Sequence, residues 1–152
     1  MKVRLAIGAL SLSAAGMLAV ANFEGYSETV YVPVAGDVPT VGFGHTGADL
    51  RVGQKINPLT GLEYLAADLA RAEEAVKRCV RVPLTQNEYD SYVSFAYNVG
   101  GSAFCSSTLV KKLNAGDYVG ACEELPRWAY FKGKRLTGLA NRREEERARC
   151  LR

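Results

Sequence analysis

The chain has 152 residues, 48% apolar and 23% charged, which suits one folded domain with its own core and excludes a disordered chain. Its net charge of +3 is too small for a nucleic-acid binder. One histidine and four cysteines without CxxC spacing exclude a zinc-finger type of site.

Lys2 and Arg4 precede an uncharged run at residues 5–21, LAIGALSLSAAGMLAVA. A basic start before an apolar stretch reads as an export segment. At about 1.5 Å per residue the run barely crosses a hydrocarbon core of about 30 Å. Its Ala, Gly and Ser content makes it weakly hydrophobic. Three readings stand: a cleaved signal peptide ending near Ala19-Val20-Ala21, a permanent anchor, or a reversible one.

Residues 29–44 (TVYVPVAGDVPTVGFG) are rich in β-branched residues, Pro and Gly. They predict short strands, with Ala35-Gly36-Asp37 as a turn. Pro33 and Pro39 keep those strands short. From residue 60 the pattern turns helical. A capping box at Thr60 and Glu63 opens a helix with Leu62, Leu65, Leu69, Ala72 and Val76 at helical spacing. A second box, Thr85 with Glu88, opens another, closed by Gly100-Gly101. Further helices are predicted at about 106–115, 118–125 and 138–151. In the last, RREEERAR reads as a solvated face with i,i+4 ion pairs. The fold class is α+β, predominantly helical, with a small N-terminal β-rich piece and a helical lobe.

The chemistry concentrates between Glu24 and His45. A glutamate beside Phe23 and Tyr26 is followed by Asp37 in a turn and by Thr40. Glycosidic cleavage uses such asymmetry: one carboxyl donates a proton to the leaving oxygen, and a second, ionised, activates water or stabilises an oxocarbenium-like centre. Taken alone, two acids in sixteen residues are as often surface charges.

More specific is Glu24-Gly25 followed by TVGFGHT at residues 40–46, which resembles the catalytic signature of the phage lysozymes, glycoside hydrolase family 24. Leu65 to Asp68, residues 82–85 (VPLT), residues 95–100 (FAYNVG), Ser107-Thr108-Leu109, Arg127-Trp128, Gly138-Leu139 and Arg142-Arg143-Glu144 continue the resemblance in order, over about residues 22–152. The resemblance implies a lysozyme-like fold. It implies a muramidase that hydrolyses β-1,4 bonds between N-acetylmuramic acid and N-acetylglucosamine in peptidoglycan, with no cofactor or metal. Glu24 would be the general acid and Thr40 would hold the attacking water. The family's Asp lies nine residues after its Glu, where this chain has Pro33, and the Glu-to-Thr interval is one residue longer here. Asp37, the only Asp between Glu24 and Thr40, takes the base or water-positioning role, with Glu28 a weaker candidate. An inverting route implies carboxyls roughly 6.5–9.5 Å apart.

The family pairs a histidine with an aspartate, here His45 with Asp68, as a structural contact. Trp128 reads as core rather than a sugar-stacking ring, and Tyr89, Tyr92 and Tyr97 read as core and rim rather than a sugar platform. Asn98 either lines a cleft or caps backbone. Arg142 and Arg143 read as solvated. Four cysteines allow three pairings. Cys79–Cys105 and Cys122–Cys150 are expected, because each joins neighbouring helical segments.

The family's acid sits at the end of its first helix, and only the apolar run can form that helix. Cleavage after Ala21 would leave Glu24 on a frayed tail. The expectation is therefore a signal-anchor-release endolysin. Residues 1–22 would tether the enzyme to the inner membrane on the periplasmic side and then become the first helix, with 23–152 as a monomeric catalytic domain. Two alternatives are a lytic transglycosylase and a non-catalytic peptidoglycan-binding module.

Overall fold

A computed structural model describes residues 1–152. In it the apolar run is broken in two. Residues 1–13 form an arm that is extended apart from one 3-10 turn at Ile7–Ala9, and only Ala14–Glu24 is helical (α1). The expected first helix is thus shorter than the run that encodes it. No helix is long and apolar enough to cross a membrane.

The strands are β1 (Ser27–Tyr31), β2 (Thr40–Gly42), β3 (His45–Thr46), β4 (Tyr130–Phe131) and β5 (Lys134–Arg135). The remaining helices are α2 (Pro58–Cys79), α3 (Gln86–Val99), α4 (Gly101–Ser106), α5 (Thr108–Asn114), α6 (Tyr118–Glu123) and α7 (Thr137–Cys150). Helix makes up 57% of the chain, so the α+β, helix-dominant expectation holds. The chain forms two compact units, residues 17–70 and residues 1–16 with 71–152.

In the first unit β1, β2 and β3 make an antiparallel sheet in that order. The β1–β2 register is irregular: Ser27 faces Gly42 and Tyr31 faces Thr40, so β1 bulges. On its other edge β1 bonds to residues 53–56. Val30, Val41 and Leu50 form a small core, with Ile56 and Tyr64 packed against it. Helix α2 begins two residues before the predicted capping box. Pro58 occupies the first turn, which suits a residue without an N–H. Asn57 caps it through Oδ1, which accepts from the Thr60 amide at 2.9 Å. Thr60 is therefore inside the helix, and Leu62, expected on the apolar face, is exposed.

In the second unit α3 is capped as predicted, by the reciprocal Thr85 and Glu88 box. Tyr89, Tyr92 and Phe95 are fully buried along it, and Trp128 meets Phe95 edge-on at 5.2 Å. Asn98 is exposed. The reading of Arg142 and Arg143 as solvated is overturned: they are 5% and 0% exposed. Their cost of burial is offset by Glu146, itself buried, which takes Arg143 in a two-point ion pair at 2.7 and 3.0 Å and Arg142 at 3.2 Å. Ser94 on α3 ties into the same network through its hydroxyl at 2.6 Å to Glu146 and its carbonyl at 3.3 Å from Arg142. Arg142, Arg143 and Glu146 thus form the buried seam of α7 with α3, while Glu144 and Glu145 of the same string stay exposed, as expected of a solvated face.

Cys79–Cys105 and Cys122–Cys150 are disulfide-bonded, as expected. Each closes a loop of intermediate length, with sequence separations of 26 and 28, for which loop-closure entropy stabilises by roughly 3–4 kcal/mol. Replacing Cys79 and Cys105 together by serine is expected to lower Tm by roughly 10 °C in calorimetry. The Cys122–Cys150 pair should cost more. Both of its half-cystines are buried, and the Tyr92 hydroxyl lies 3.3 Å from the Cys150 sulfur.

Candidate active site

Helix α1 sets the position of Glu24. Its first turn is capped by Ser13, whose hydroxyl accepts from the Gly16 amide at 3.0 Å. Its end is set by Gly25, at φ 67°, whose amide bonds back to the Ala21 carbonyl at 3.1 Å. That left-handed turn suits glycine. Glu24 is therefore the last helical residue, half-buried, where the chain turns into β1.

The β2–β3 turn closes on the same carboxyl. Gly44 has a φ of 83°, and a Cβ on it would lie 3.0 Å from Glu24 Oε2. Glycine is thus required twice, for the backbone conformation and for the close approach. Gly44→Ala is expected to cost about 1–2 kcal/mol of stability from backbone strain. Where Glu24 is the acid that the family resemblance implies, the substitution should also cut kcat/KM at least tenfold by displacing that carboxyl. A melting curve and a turbidity assay on cell walls would check both.

His45 fixes that turn to α2. Its Nδ1 lies 2.8 Å from Asp68 Oδ2, and its ring stacks on Tyr64 with centroids 4.1 Å apart. A strand residue, a helical carboxylate and a helical ring thus hold the backbone next to Glu24. Behind the turn, Gly42 approaches the Gly61 backbone, so β2 lies close against the start of α2. Tyr26 uses the space left by Gly61 and meets Phe43 at 5.1 Å between ring centroids.

Thr40 is 8% exposed on β2, and its hydroxyl donates to the Val38 carbonyl at 3.2 Å. Its oxygen lone pairs stay open as acceptors. Asp37 lies in an exposed loop, residues 32–39, between β1 and β2. A turn from Val34 to Asp37 is closed by the Asp37 amide on the Val34 carbonyl at 2.9 Å, with Gly36 at φ 85°. The predicted turn is therefore present, and the Asp37 carboxylate accepts from the Val38 amide at 3.0 Å. Pro33 shares the same loop. Glu28 is engaged in an exposed ion pair with Lys55 at 2.9 Å, so its carboxylate is already partnered by a cation.

Gly44 and Tyr64 are the residues nearest Glu24 and His45 to which sequence reasoning assigned no role. Gly44 was visible inside TVGFGHT, and its glycine-only position was the available signal. Tyr64 carries no local signal, since its contact with His45 is tertiary.

Residues 21–146 match the family model described as phage lysozyme. The chain belongs to the phage lysozyme family. It is 39% identical over 143 residues to an endolysin of Acyrthosiphon pisum secondary endosymbiont phage 1, covering 91% of this chain and 97% of that protein. It is 37% identical over 154 residues to a SAR-endolysin of Enterobacteria phage PA-2, covering 98% and 93%. Among solved structures it resembles the endolysin from Escherichia coli O157:H7 phage FAHEc1, with a TM-score of 0.85, 38% identity and 95% of both chains covered. This phage lysozyme is accordingly a glycosidase that hydrolyses peptidoglycan.

Proposed function

We propose that Glu24 is the general acid of this lysozyme and that it protonates the glycosidic oxygen between N-acetylmuramic acid and N-acetylglucosamine. The carrying observation is the carboxyl at the last turn of α1, with Gly44 held against it by the anchored β2–β3 turn. Asp37 takes the proton of the attacking water or positions that water, and Thr40 holds it through its free lone pairs. With water arriving on the face opposite the leaving group, the product is a reducing muropeptide of inverted configuration. His45 and Asp68 act through the backbone and touch no reacting atom.

Residues 1–22 serve as a releasable membrane tether. In this reading the enzyme is exported to the periplasm, held at the inner membrane, and active once the run has left the bilayer and divided into arm and α1. The support is the uncharged run at 5–21 together with a relative, named a SAR-endolysin, that aligns over nearly the whole chain.

Mass spectrometry of purified peptidoglycan digests tests the chemistry, with Glu24→Gln as control. Reducing muropeptides from the wild type alone support the assignment. Anhydro-muropeptides would move it to a lytic transglycosylase, and binding without products would leave a wall-binding module. N-terminal sequencing of the active periplasmic form tests the tether: a chain beginning at Asn22 rejects it.

A further inference from the structure

One short element carries four cations and no acid, more than the chain's whole net charge of +3. Residues 127–135 (RWAYFKGKR) contain Arg127, Lys132, Lys134 and Arg135 and no acid. With a net charge of +3, removing those four cations would leave the chain at −1. They lie on and beside the β4–β5 hairpin, which pairs Tyr130 with Arg135 and Phe131 with Lys134. Successive strand residues point to opposite faces. Each face of this ribbon therefore carries one aromatic ring and one cation.

Neither face is covered. Tyr130 is 60% and Phe131 59% exposed, and Leu136 just beyond is also exposed. The tip is Lys132 and Gly133, both at positive φ, 48° and 77°, the arrangement that two-residue hairpin loops favour. Lys132 is the only non-glycine residue in the chain at positive φ. A lysine is thus held in a strained position at the apex, where glycine or asparagine would be easier. Its ammonium lies 5.4 Å from the Phe131 ring centroid. Arg127 has one acidic neighbour, Glu124 at 3.5 Å, and its side chain remains 75% exposed.

We infer that this hairpin is an interfacial anchor that inserts edge-on into an anionic phospholipid surface. Exposed aromatics flanked by lysine and arginine match the headgroup region of a bilayer, where amphipathic rings sit and cations meet acidic lipids. A glycan stacked on one face would cover one ring and leave the other exposed. Here the two rings lie on opposite faces, and an edge-on ribbon buries both at once. The inference is independent of the roles assigned to Glu24 and Asp37.

The test is co-sedimentation of the full chain with vesicles of phosphatidylethanolamine and phosphatidylglycerol, against pure phosphatidylcholine. Two variants are compared with the wild type: Lys132→Ser/Lys134→Ser/Arg135→Ser and Tyr130→Ser/Phe131→Ser. All carry the same N-terminal run, so binding through that segment is common to all three. The expected result is salt-sensitive wild-type binding to the anionic vesicles, at least tenfold weaker in each variant, with turnover of soluble peptidoglycan fragments and Tm unchanged. Equal vesicle binding by all three proteins, or none by the wild type, overturns the inference. So does a loss confined to binding of purified sacculi, which would make the hairpin a wall-binding element.

Discussion

Glu24→Gln should reduce the release of reducing muropeptides by at least 10²–10⁴-fold, the usual contribution of a general acid, with Tm essentially unchanged. Glutamine matches the size of the carboxyl and fits beside Gly44, but it has no proton to give to a leaving alkoxide. The effect should therefore fall on kcat, because the lost interaction forms only in the transition state. Asp37→Asn is the informative partner. Asp37 sits on an exposed loop held by its own local turn, so the substitution leaves packing intact and reads chemistry alone. A loss of 10² or more in kcat assigns the base role to Asp37. An unchanged rate, together with anhydro products, assigns the reaction to a single-acid transglycosylase. Thr40→Val separates a third contribution, since it keeps shape on the buried strand and removes only the hydroxyl.

How much of this was legible depended on how local the interactions were. The Thr85 capping box needs only residues three apart, and it formed as written. The Thr60 box was also present in sequence but lost to Asn57 and Pro58, because an asparagine cap just ahead of a proline defines an earlier start. Arg142 and Arg143 were misread because a run of mixed charges looks the same whether solvated or paired. Only the seam with α3, through Ser94 and Glu146, buries them. The β4–β5 hairpin was missed because two-residue strands carry no periodicity. The Lys-Gly tip was its only mark. At the site, the ordered motifs pointed to Glu24, Thr40 and His45. Pro33 stands where the family has its Asp, which puts the question of the base into an exposed loop, where sequence spacing no longer determines position.

The second large effect concerns the arm. Arg4 forks onto Glu88 with contacts of 2.7, 3.1 and 3.2 Å and lies 3.6 Å over the Tyr118 ring. Glu88 is 1% exposed and also accepts from the Thr85 amide. Leu5 pairs with Leu84 through two backbone bonds of 2.8 and 2.9 Å, and Lys2 donates to the Leu151 carbonyl at 2.7 Å. Farther along, the Leu12 amide donates to Glu73 at 2.7 Å, and Ser13 donates to Asp90, which is buried on α3. Carboxylates on α2 and α3 thus receive an arm whose own composition is apolar. Arg4→Ala leaves the Glu88 carboxylate buried without its cation. Breaking a fully buried pair costs about 3–5 kcal/mol, and part of Arg4 faces solvent, so roughly 2–3 kcal/mol is expected here. Tm should fall by roughly 4–12 °C. Arg4→Ala/Glu88→Gln should recover part of that loss, since it removes the stranded charge. Arg4→Ala should keep near-wild-type turnover well below its Tm, because Arg4 contacts no residue around Glu24. Gly16→Val should cost more stability than Arg4→Ala. A Cβ there meets Leu12 and Asp90 at 2.7 and 2.8 Å, and Asp90 is buried on α3 with no room to withdraw, so its contact with Ser13 is lost. A Gly16→Val melting temperature no lower than that of Arg4→Ala would show that the start of the helix yields at no such cost.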